Sequence, residues 1–165
     1  MPTLVQSTVD AYAKSRGFVK RAGSWYLKRE DIILVLNLQK SNYGRQYFLN
    51  IGLWLNVLGT EQAPQEQHCH IRSRLSRIAA DAGRAGDLMD ADKLEVQADG
   101  AKQLTSELAS ALDPLISLAS SMRELAGQAG AEFLSRALVT GSAQRALADA
   151  GSPRPRPKQT STELE

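Results

Sequence analysis

The chain has 165 residues, 42% of them hydrophobic and 23% charged, an average globular composition that suits one core with a tail and is too short for two large domains. Twenty Lys and Arg against eighteen Asp and Glu leave a formal charge of +2, too balanced to point to nucleic acid or to an anionic membrane as partner. A lone cysteine excludes an internal disulfide, no apolar run approaches the roughly 18 residues of a membrane helix, and Met1 to Gly17 has no apolar core with a cleavage site, so a cytoplasmic protein is expected.

Thr3 to Arg16 sets Leu4, Val5, Val9 and Tyr12 along one helical stripe, with Gly17 where a helix commonly stops. Phe18 to Ala22, Trp25 to Arg29 and Ile32 to Leu38 then alternate between turns at Gly23 and Glu30-Asp31, and read as consecutive antiparallel strands. Asn37 to Leu55 holds two alternating runs about the polar turn Asn42 to Arg45. Its register follows from keeping like with like, because a slip of one residue turns every side chain to the wrong face. Leu38 then faces Leu49, Leu36 faces Ile51, Leu34 faces Leu53 and Asn37 faces Asn50; on the preceding strand Leu27 meets Leu34 and Trp25 meets Leu36. One face of the sheet is leucine-rich, and the other carries Tyr26, Asn37, Gln39, Asn50 and Trp54.

Gln67 to Leu75 alternates again and is expected to be a further strand, with Cys69, Ile71 and Leu75 on the leucine face and His68, His70, Arg72 and Arg74 beside the amides. Asp81 to Gly100 reads as a long loop with one short helical turn around Leu88 to Lys93. Lys102 to Leu125 has helical spacing interrupted by Pro114, which suits either a kinked helix or two helices meeting at Asp113. Two short helices, Ala131 to Val139 and Ala143 to Ala150, complete a domain over residues 1–150, and residues 151–165 have the composition of a disordered Pro/Arg-rich tail. The expected fold is α+β: a mainly antiparallel meander of about five strands, with an N-terminal helix and C-terminal helices packed on the leucine face.

Gly17 to Gly23 followed by Trp25-Tyr26, the Leu38-Gln39-Lys40-Ser41 and Phe48 to Gly52 segments, and His68 to Arg74 together resemble the bacterial family called domain of unknown function 4304. The resemblance runs from Leu4 to about Leu125. It implies the domain's extent, and it brings no established activity, cofactor or catalytic residue.

His68 and His70, two apart on a strand, would sit about 6.5 to 7 Å from each other, close enough to share a metal. The chain has no third histidine, so structural or ligand-contacting roles are expected and no metal or other cofactor is called for. Cys69, alternating with Ile71 and Leu75, reads as a buried, inert thiol. Asn37, Gln39 and Asn50, with Tyr26, Trp54, His68, His70 and Arg72, form a polar face that either recognises an anionic or peptide-like ligand or satisfies its own hydrogen bonds beneath a covering loop. Nine aromatics give little basis for stacking on single-stranded nucleic acid, and no phosphate loop, dinucleotide fingerprint or serine elbow is present. The expectation is a non-catalytic module that binds a protein partner through this face, such as a toxin-neutralising immunity factor. The alternatives are a small-ligand protein or enzyme working through His68, His70 and Arg72, and a structural oligomer joined through Ala131 to Ala150.

Overall fold

A computed structural model describes residues 1–152. The expected tail therefore lies, from residue 153 on, outside the described residues. The chain is an α+β protein whose six antiparallel strands pair strictly in chain order: β1 (Val19–Arg21), β2 (Ser24–Lys28), β3 (Ile32–Lys40), β4 (Tyr47–Leu55), β5 (Ile71–Arg74) and β6 (Leu138–Val139). Around them lie α1 (Leu4–Ser15), α2 (Leu75–Ile78), α3 (Ala82–Leu88), α4 (Ala91–Glu95), α5 (Gly100–Leu118), α6 (Met122–Ala126), α7 (Gln128–Ser135) and α8 (Gly141–Gly151). None of these helices is long and apolar enough to cross a membrane.

The register of the central hairpin is the one that like-with-like pairing requires. Leu38 meets Leu49, Leu36 meets Ile51, Leu34 meets Leu53 and Asn37 meets Asn50, while β2 joins with Trp25 opposite Leu36 and Leu27 opposite Leu34. The leucine face is sealed by helices: Val5, Val9, Tyr12 and Ala13 of α1 and Leu104, Leu108, Leu112 and Leu115 of α5 are buried in one cluster with it. α1 starts on a reciprocal cap, in which Thr3 Oγ1 accepts from the Gln6 amide and Gln6 Oε1 accepts from the Thr3 amide. It is tied to α5 by Asp113, which accepts from the Tyr12 hydroxyl at 2.6 Å and from Arg16 Nε and Nη2 at 2.8 and 2.9 Å. The Arg16 hydrogen bond holds the Asp113 carboxyl below its ordinary value.

Several elements differ from the sequence-based expectation. α5 runs through Pro114 as one helix, one of the two arrangements expected, because Asp113 turns to Tyr12 and Arg16 instead of capping a new start, but it ends at Leu118 and not at Leu125. The break falls instead before Met122, where Ser121 accepts from the Glu124 amide and opens α6. Asp81 to Gly100 is not a loop with one turn; Asp81 and Asp90 each cap a short helix, α3 and α4, too brief to show periodicity. Residues 138 and 139, placed at the end of a helix, are the sixth strand, and two residues carry no alternation to read. In the Ala131 to Ala150 stretch Phe133, Ala143 and Leu147 are buried in the main core and the exposed Leu138 stands in β6, so the helices of this stretch turn their large apolar side chains to the core.

The strand expected from Gln67 to Leu75 is only Ile71–Arg74, preceded by a 3-10 turn at Glu66–His68. This moves Cys69 to the opposite side from Ile71. The segment 56–70 doubles back across the sheet's second face and lays Cys69 and Ala63 on Tyr26, Ile33, Val35 and Trp54, a small apolar cluster of its own. Gly52 admits it: a β-carbon there would lie 2.7 Å from Cys69 Sγ and 3.4 Å from Glu66 Cγ. Gly52→Val should therefore destabilise the chain by about 1–3 kcal/mol although valine favours strands. Urea unfolding should show the loss and Cys69 should become open to alkylation as the segment lifts; an unchanged midpoint with an unreactive thiol would contradict this packing.

Candidate functional site

Antiparallel pairing places Ser24, Asn37, Asn50 and Arg74 in one straight row across β2, β3, β4 and β5. Their side chains join hands along it. Arg74 Nε donates to Asn50 Oδ1 at 2.9 Å, Asn50 Nδ2 donates to Gln39 Oε1 at 3.0 Å and more distantly to Asn37 Oδ1, and Asn37 Nδ2 donates to Ser24 Oγ at 3.2 Å. Every bond in the row points the same way, so each amide polarises the next. Arg74 also lies over the Phe48 ring, 5.4 Å from its centroid.

The next row is roofed. Tyr26, Val35, Gly52 and Arg72 follow one another across the same strands, and the returning segment covers them. Glu66, 7% exposed, comes down from that roof and accepts from Arg72 Nε at 3.0 Å and Nη2 at 3.3 Å. Glu66 divides the face into two clefts. One, of about 380 Å³, is lined by Arg21, Ser24, Tyr26, Asn37 and Gln65 among others; the other, of about 430 Å³, is lined by Asn50, Arg72, Arg74, Ser76, Arg77 and Leu138.

The predicted site residues thus separate into groups. Asn37, Gln39 and Asn50 stand together in the polar row; Tyr26 and Trp54 are buried beneath the roof; Arg72 is turned to Glu66. His68 lies in the 3-10 turn, exposed and off the face, so the two histidines do not project together from one strand. His70 stacks on Trp54 with ring centroids 4.3 Å apart, and its Nδ1 accepts from the Leu55 amide at 3.0 Å. That bond places the neutral ring's proton on Nε2. Among the described residues no three His, Cys, Asp or Glu side chains lie close enough to hold a metal ion. Burial, aided by the Glu66 charge, pushes the Cys69 thiol up to about 12, which keeps it protonated and unreactive.

A family model matches residues 9–117, from within α1 almost to the end of α5. The chain belongs to the family Domain of unknown function (DUF4304). No curated protein and no solved structure matches it. The DUF4304 segment contains β1 to β5, the roof and the entire polar row, while β6 and α6 to α8 lie beyond it. Leu138 is therefore a contribution to the second cleft from outside the matched segment.

Sequence reasoning set Arg74 beside the amides and grouped it with Arg72 and Arg77 as a basic cluster without counting Arg74 or Arg77 among the binding residues, and it did not single out Glu66. Arg74 was legible, being two residues from Arg72 on the same strand, but only the register shows it ending the amide row. Glu66 gave no signal, since its place depends on the chain doubling back.

Burial also holds the His70 imidazole below its ordinary value of 6.5. As pH falls the unfolded chain takes up this proton first, so the folded state loses stability below about pH 6.5. The protonated Nδ1 can no longer accept from Leu55. His70→Gln, which cannot titrate, should flatten the decline in urea midpoint between about pH 7 and pH 5; profiles that stay parallel would contradict this account of His70.

Proposed function

We propose that the chain is a non-catalytic binding module that recognises a protein partner through the second face of its sheet, as a neutralising immunity-type protein would. The observation that supports this most is the polar row from Ser24 to Arg74, open in two clefts and fixed by its own hydrogen bonds. Side chains already locked in place lose little entropy when a partner arrives, and arginines at such positions are frequent anchors of interfaces. The reading as an enzyme built on His68, His70 and Arg72 has less to draw on. His70 spends one ring nitrogen on a backbone amide, Arg72 is paired with a buried carboxylate, and His68 sits apart from both.

The test is native purification of the full chain co-expressed with its neighbouring reading frames. A stoichiometric partner should be retained by the wild type and lost on Gln39→Ala combined with Arg74→Gln, two exposed positions; because the change removes two hydrogen bonds of Asn50, a thermal melt checks that the variant is folded at the assay temperature. A partner held equally well by that variant, or none from any neighbouring frame, would count against the reading.

A further inference from the structure

Deepening that reading, and resting on it, we propose that the cleft beneath β5 and α2 receives a short acidic segment of the partner, with its carboxylates on Arg74 and Arg77 and a neighbouring apolar side chain on Leu138. Three guanidinium groups line this cleft, and the one carboxylate among its lining residues, Glu66, is committed to Arg72. Among the described residues Arg74 and Arg77 pair with no carboxylate. Two positive charges therefore face the cleft without a counter-charge among the described residues.

Arg74 is held for this purpose in a particular way. Its Nε is occupied by Asn50, and its plane rests on Phe48. Its terminal nitrogens make no hydrogen bond among the described residues, and these two donors form the planar edge that matches the two oxygens of a carboxylate. Arg72, two residues away on the same face, already holds a carboxylate, since Glu66 engages its Nε and Nη2 edge. The Glu66–Arg72 pair is an internal example of a guanidinium binding a carboxylate on this face; in Arg74 the Nε side is taken by Asn50 and the edge between the two terminal nitrogens is left.

The cleft wall is not wholly polar. Leu138, 63% exposed, is part of its lining, and Phe48 lies under the Arg74 guanidinium. Leu138 is held there by β6, whose pairing sets it opposite Arg72, and Ser73 Oγ ties the adjoining chain by donating to the Arg136 carbonyl at 2.9 Å. A cationic floor with an apolar margin at Leu138 fits a peptide in which acidic and apolar residues alternate. It fits a nucleic-acid strand poorly, because Phe48 is already capped by Arg74 and the buried Glu66 interrupts the positive surface.

The probe is a fluorescein-labelled ten-residue peptide of alternating Glu and Leu, titrated into the full chain and followed by anisotropy. Saturable binding is expected, about tenfold weaker for Arg74→Gln and about tenfold weaker for the Gln-Leu peptide, which lacks the carboxylates. Lys102→Gln, a charge change on exposed α5, should leave it unaltered. The Arg74 Nε–H resonance of the labelled protein should shift on addition of the peptide, a readout that an unfolded variant cannot imitate. Equal binding to Arg74→Gln, no saturation up to about 1 mM peptide, or displacement of the peptide by inorganic phosphate or a ten-nucleotide single strand at matching concentration would overturn the proposal. Should the peptide fail while a co-purified partner is still lost on Gln39→Ala with Arg74→Gln, the acidic-segment inference falls and the binding-module reading stands.

Discussion

The pairing of β3 with β4 governs the rest of the structure. Nine residues of each strand lie opposite one another, from Ile32 against Leu55 to Lys40 against Tyr47. Shifting β4 by one residue against β3 would send Leu49, Ile51 and Leu53 toward the roof and Asn50 into the helices, burying an amide without partners. The same choice that gives α1 and α5 an apolar surface to cover therefore assembles the polar row on the other side. Core and candidate site are two consequences of one register.

This explains which parts of the molecule were legible in the sequence. The strands and both faces of the central hairpin could be read because alternation is a local signal that the core enforces over many residues. Elements without a period were not. α3 and α4 depend on caps at Asp81 and Asp90 and on the neighbours they pack against, and β6 exists only because the chain returns to Ile71 and Arg72 after α7. The run around Cys69 alternates for a different reason: Cys69 and Ile71 are both buried, but in two separate clusters on opposite faces. Burial alone does not reveal which side of a sheet a residue serves.

The same ambiguity limited the site. Asn37, Gln39 and Asn50 were recognisable as a group from the hairpin alone, and their mutual hydrogen bonds answer half of the question they raised: the amides do satisfy one another. They do so without being sealed, because the roof covers the adjacent row and Gly52 lets Cys69 and Glu66 settle there. Had a larger residue stood at position 52, the roof would have been pushed off the sheet. A glycine in a central strand is thus what keeps the covered row and the open row apart.

The direction of the row matters more than its composition. Donation runs from Arg74 through Asn50 and Asn37 to Ser24, so the carbonyl ends of both asparagines face the guanidinium and their amino groups face away from it. A positive charge at the donor end is stabilised by every dipole in such a chain, and the chain is in turn oriented by the charge. Reversing any one amide would set two donors against each other beside a cation. An arginine at position 74 therefore fixes the rotamers of amides one and two strands away, and the nearer of them holds its Nε in place while leaving its terminal nitrogens to the cleft. Lysine could supply the charge but has no planar edge and no second set of donors; the row is built for a guanidinium, and what it keeps rigid is the half of that guanidinium the protein does not itself use.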